Sequence, residues 1–180
     1  MHRLAALLLS LALAFPASAR PLTQGEAETL SVSVDAYLAA IGAGSASDIV
    51  AAMPPRLLNV FAGATGVEAA ALTKVLTDQT AALMEGTRFS DLAAGKSKLK
   101  AEEGTLSDGT TVTWVLIPTR FTATTGDAAT INEQPLLAVM EDGKWYFLRV
   151  DGPERQQVAA AAYPFLAKVK MPEATIRPAN

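Results

Sequence analysis

The chain has 180 residues, 50% of them hydrophobic, with 15 Lys+Arg against 18 Asp+Glu, a formal net charge of −3, no cysteine and one histidine, His2. No basic face stands out, which argues against nucleic acid and anionic membrane surfaces as partners, since both need clustered Lys and Arg. Without cysteine there are no disulfides and no thiolate chemistry.

The opening stretch MHRLAALLLSLALAFPASAR places a basic residue, Arg3, before an apolar run from Leu4 to Phe15 and small residues at Ala17 and Ala19. That is the layout of a secretory signal peptide, too short to span a membrane and followed by no stop-transfer segment. Cleavage after Ala19 is expected, removing residues 1–19 and leaving a single domain over residues 20–180 in a bacterial periplasm, where a cysteine-free fold is at home. Without Arg3 the balance becomes 14 Lys+Arg against 18 Asp+Glu, a net charge of −4. His2 also goes, which excludes Ser-His-Asp and Cys-His nucleophiles, a histidine base and the common zinc, copper and iron sites.

Three helices follow. TQGEAETLSVSVDAYLAAIGAG has Thr23 and Glu26 at capping-box spacing, an apolar stripe of Leu30, Val34, Tyr37, Leu38 and Ile41, and Gly42 and Gly44 as a stop. SASDIVAAMPP reads as a short helix capped by Ser47 and ended by Pro54 and Pro55. The third, TGVEAAALTKVLTDQTAALM, has Thr65 and Glu68 at capping-box spacing and a stripe of Leu72, Val75, Leu76, Gln79 and Leu83.

Beyond Gly86 the pattern becomes that of strands. The stretch 89–106 reads as one strand or two, with Lys96, Lys98 and Lys100 on a wet face. Asp108-Gly109, Gly126-Asp127 and Asp142-Gly143 are turn signals separating TTVTWVLIPTRFTATT, ATINEQPLLAVMED and KWYFLRV, which predicts an antiparallel meander. In the last segment Trp145, Phe147 and Arg149 share one side, and Tyr146, Leu148 and Val150 the other. Asp151-Gly152-Pro153 opens a final helix, PERQQVAAAAYPFLAKV, with Asp151 as its cap and Pro164 as a kink or an end. The folded core is expected over about 23–167, with an irregular tail over 168–180.

This order of elements, with VDAYLAAIGAGSASDIVAAMPP leading and MEDGKWYFLRV closing, resembles the NTF2-like group of cystatin-like α+β folds over Thr23 to Val150. The resemblance implies N-terminal helices packed on a curved antiparallel sheet of three to four strands, forming a cone with a cavity, here with an extra C-terminal helix. It does not choose a function, because that fold serves isomerases, dehydratases, binding modules and dimerisation adaptors alike.

Candidate ligand-binding residues are Tyr37 on the first helix and Trp114, Trp145, Phe147 and Arg149 on the strands, since such cavities are aromatic-lined with a few polar anchors. Each also has a plain role as sheet core or, for Arg149, in a cross-strand ion pair. Arg149 among the aromatics is the best hint of an acid-binding pocket. No catalytic residue, cofactor or metal is assigned: no phosphate loop, dinucleotide fingerprint or calcium loop occurs. The leading reading is a non-catalytic exported domain that binds a small apolar or acidic ligand, or a periplasmic protein partner. A His-free cavity enzyme with an Asp or Glu base and a tyrosine is the alternative, and a homodimerisation module using the alanine-rich helix from Val158 to Leu166 is the third.

Overall fold

Reciprocal hydrogen bonds start helix α1 (Gln24–Ala43). Thr23 Oγ1 accepts from the Glu26 amide at 3.2 Å while the Glu26 carboxylate accepts from the Thr23 amide at 2.7 Å, which completes the expected capping box. Gly44, at φ +69°, ends the helix by turning its N–H back to the Ala40 and Ile41 carbonyls. The computed structural model describes residues 19–179; the expected signal peptide lies outside the described residues apart from Ala19.

Helix α2 (Ala46–Ala51) has Ser45 at its N-cap rather than Ser47, and the Ser45 hydroxyl donates to Asp48 Oδ2 at 2.6 Å. Pro54 and Pro55 do end it, but Pro55 also begins an unexpected helix, α3 (Pro55–Thr65). A proline at the first helical position loses no hydrogen bond, so the pair serves as stop and start together. The expected Thr65–Glu68 box does not form. Thr65 is instead the last residue of α3, its hydroxyl bonded back to the Phe61 carbonyl at 2.8 Å, and α4 (Ala69–Glu85) follows Glu68 with no side-chain cap.

The β region is one antiparallel sheet of seven strands among the described residues, β1 (Arg20–Pro21), β2 (Arg88–Ala94), β3 (Lys100–Thr105), β4 (Thr111–Thr125), β5 (Ala128–Glu141), β6 (Lys144–Arg149) and β7 (Thr175–Pro178). Three or four were expected. The difference arises because β4 and β5, 15 and 14 residues long, form a hairpin long enough for each to seat two partners along its outer edge. β4 pairs with β3 near its start and with β2 near its end, and β5 pairs with β7 near its start and with β6 near its end. The stretch 89–106 is therefore two strands. Lys96 and Lys98 lie in the turn between them rather than on a strand face, and Lys96 reaches back to Asp35 on α1. The tail is likewise not wholly irregular, since β7 extends the sheet.

Alternation sorts the sheet into two faces. Trp114, Val139, Leu148 and Val150 point to one, covered by Leu57 of α3, by Ala159 and Ala162 of α5 (Pro153–Ala162), and by Tyr163 and Leu166. Phe165 in the 3₁₀ turn after α5 fits there because strand residue 104 is glycine, where a Cβ would run into its ring. As expected, α5 starts with proline and stops before Pro164, with Tyr163 held at φ −129°, outside the helical region. Val115, Ile117, Ala138, Trp145 and Phe147 point to the other face and meet Leu30, Val34 and Tyr37 of α1. The Phe147 N–H donates to the Ala52 carbonyl at 2.8 Å, so the end of α2 covers part of the β6 edge.

Candidate functional site

The α1 face of the sheet is filled at one end and open at the other. Near the start of α1, Trp145 is 2% exposed and donates its Nε1–H to Thr29 Oγ1 at 3.1 Å. One step along, Tyr37 stacks on Phe147 with ring centroids 5.0 Å apart. Beyond that pair the core gives way to a cleft of about 250 Å³.

Six elements besides β6 wall it. Tyr37, Leu38 and Ile41 come from α1, Ile49 from α2, and Thr80, Leu83 and Met84 from α4. Phe89 and Leu92 belong to β2, Thr119 and Phe121 to β4, and Gln134 and Leu136 to β5, with Arg149 closing the rim from β6. Strict alternation would put Phe89 and Leu92 on opposite sides of β2. They share the cleft because Asp91 and Leu92 together face Phe121 alone, a β-bulge with Asp91 at φ +51° that re-aims Leu92. Phe89 meets Phe121 edge-to-face across the wall, centroids 5.7 Å apart.

The polar groups are few. Thr119 donates its hydroxyl to the Gln134 carbonyl at 2.8 Å. Arg149 donates Nε to Asp151 Oδ1 at 3.1 Å and Nη2 to Asp151 Oδ2 at 3.0 Å and Gln134 Oε1 at 3.2 Å. Arg155 Nη1 also donates to Asp151 Oδ2, at 2.9 Å. Asp151 is thus a clamp between two guanidiniums rather than the helix cap that its position suggested; Gly152 stands at that cap with no side-chain bond. Burial pushes the Tyr37 phenol up, with Arg149 pulling the other way and Asp151 adding to the rise, so this hydroxyl lies within the field of the rim cluster.

Of the five expected ligand-binding residues, Tyr37 and Arg149 line the cleft. Phe147 lies beneath Tyr37 and supports it. Trp145 is core at the filled end, and Trp114 is on the opposite face, stacked on Phe165 at 6.3 Å with its buried Nε1–H unpartnered among the described residues. The alanine-rich helix packs on its own domain through Ala159 and Ala162. Among the described residues no group of His, Cys, Asp and Glu could hold a metal ion, and no single helix is long and apolar enough to cross a membrane.

No family model, curated protein or solved structure matches this chain. The chemistry of the cleft therefore has to be read from its walls. Among the described residues they are largely apolar, carry one cation and one phenol, and include no carboxylate.

Proposed function

We propose that the chain is an exported, non-catalytic domain of NTF2-like type that binds a small, largely apolar molecule in the cleft between α1, α4 and the sheet. The observation that carries this reading is the lining: apolar side chains from helices and strands converge on about 250 Å³ of space with few polar groups, the make-up of a ligand site. At ~30 Å³ per water, that volume equals about eight waters, which suits a ligand of roughly ten non-hydrogen atoms. The reading as a binding site is preferred to a cavity enzyme because, among the described residues, no carboxylate walls the cleft to act as a base, and Asp151 at its rim is engaged by Arg149 and Arg155.

Titration with 1-octanol, a neutral apolar probe, followed by amide NMR tests it. Saturable shifts are expected around Tyr37, Leu92, Thr119 and Leu136, and Ile41→Trp, which fills the α1 wall, should weaken binding by about tenfold or more. Shifts scattered over the whole surface, or none with either 1-octanol or octanoate, would overturn the proposal.

A further inference from the structure

Two donors at the cleft have no protein partner. Tyr37 is 8% exposed, and its hydroxyl makes no hydrogen bond among the described residues. Arg149 commits Nε and Nη2 to Asp151 and Gln134, which leaves Nη1 without a partner among the described residues. A hydroxyl opening onto an apolar cleft and a guanidinium N–H at its partly solvated rim are donors that gain by meeting an acceptor.

The local charge has a definite sign. Asp151 bonds both Arg149 and Arg155, so one carboxylate is shared by two cations and the cluster keeps a net positive charge of one. Among the described residues no carboxylate lines the cleft to cancel it. A neutral apolar guest would cover the Tyr37 hydroxyl without meeting it and would leave the rim charge to water alone, Arg149 being 42% exposed. A dianion would bring more charge than the rim can balance and would still have to desolvate against Leu136 and Phe121. A single carboxylate on an apolar body satisfies both groups at once, with its oxygens on Arg149 and Tyr37 and its hydrocarbon between α1, β2 and β4.

We propose that the ligand of this cleft is a small amphipathic monocarboxylate, alkyl or aryl, anchored by Arg149 and Tyr37. This rests on the cleft being a binding site. Asp151 and Gln134 act as positioning residues, since they hold the guanidinium at the rim with its remaining edge available.

Calorimetric titration at neutral pH compares octanoate and 3-phenylpropanoate with the matched alcohols, 1-octanol and 3-phenylpropanol. At least one acid is expected to bind about tenfold or more tightly than its alcohol, the gain of a charge-assisted contact. Which acid shows the larger preference separates an alkyl from an aryl ligand. Arg149→Gln should reduce that preference to less than about twofold, and Tyr37→Phe should weaken the acid by about threefold. Acids and alcohols binding wild-type protein equally well, or Arg149→Gln weakening both alike, would overturn the monocarboxylate while leaving the cleft intact. If neither class binds, the binding-site reading itself fails. The wild-type comparison needs no variant, so a poorly folded Arg149→Gln would not stop the decision.

Discussion

Helices α1 and α4 both wall the cleft and both carry apolar stripes, yet α1 buries Leu30, Val34, Tyr37 and Ala40, whereas α4 buries no residue at all. The difference lies in what each meets. α1 lies along β2 and β6, while α4 rests on α2 and α3. Val75 and Leu83 of α4 remain 47% and 77% exposed, and only its Thr80, Leu83 and Met84 turn to the cleft. α1 is therefore part of the core and α4 is a wall laid over a space. Apolar periodicity says that a helix has a face to bury; the neighbouring elements decide whether anything covers it.

The sharpest way to break this comparison is to truncate one apolar side chain in the packing of each helix. Phe147→Ala removes the ring on which Tyr37 stacks and should destabilise the fold by about 3–5 kcal/mol, because the cavity cannot collapse between α1 and the sheet. Leu76→Ala, at a half-buried position of α4, should cost only about 1 kcal/mol. Urea unfolding measures both, and losses of equal size would show that α4 is as much a part of the core as α1.

Hydrogen exchange sharpens the same contrast without mutation. Amides in the middle of α4 should exchange about tenfold or more faster than those of α1 flanking Val34, since an element with few buried contacts opens locally at lower free energy. Saturation with a cleft ligand should narrow the gap at Thr80 to Met84 and leave α1 almost unchanged. Equal protection of the two helices in the free protein would contradict the view of α4 as a loosely held wall.

What could be read in advance follows from the range of the interactions involved. The capping box at Thr23 and Glu26 and the turn at Gly143, with φ +74°, are local, and both were legible. So was the sorting of Trp145 and Phe147 from Tyr146 and Leu148, because alternation in β6 needs no knowledge of neighbours. Helix α3 was missed because Pro54-Pro55 reads equally as an end and a beginning. The Asp91 bulge was invisible because a shift of one residue in pairing leaves no mark in composition, and with it went Phe89 and Leu92 as partners in the cleft. Trp114 could not be assigned to a face, since Val115 beside it is also buried and the strand is covered on both sides. Arg149 is the informative exception: a charge in register with aromatics suits either a cross-strand ion pair or an acid-binding pocket, and it lies at the cleft with its carboxylate partner, Asp151, two residues along the chain rather than across a strand or capping the helix.

The smallest expected effect concerns the ends of the two helices. Glu26, at the head of α1, accepts from Arg20 Nη1 and Nη2, both at 2.8 Å, and from the Thr23 amide. The Arg20 hydrogen bonds, opposed by desolvation, hold its carboxyl down at about 2 from an ordinary 4.5. Glu68 at the head of α4 makes no capping bond. Because the folded carboxyl binds its proton less readily than the unfolded one, its contribution to stability is complete above pH about 4.5 and is lost as the pH falls through about 2. Arg20 stands partly in solvent, with 34% of its side chain exposed, so screening limits the pair and Arg20→Ala should cost about 1 kcal/mol at neutral pH. The gap between wild type and variant in urea midpoint should then close as the pH is lowered through that window. A gap that stays constant with pH would mean that the Thr23 amide alone keeps Glu26 ionised, and that the start of α1 owes its strength to the capping box rather than to the arginine.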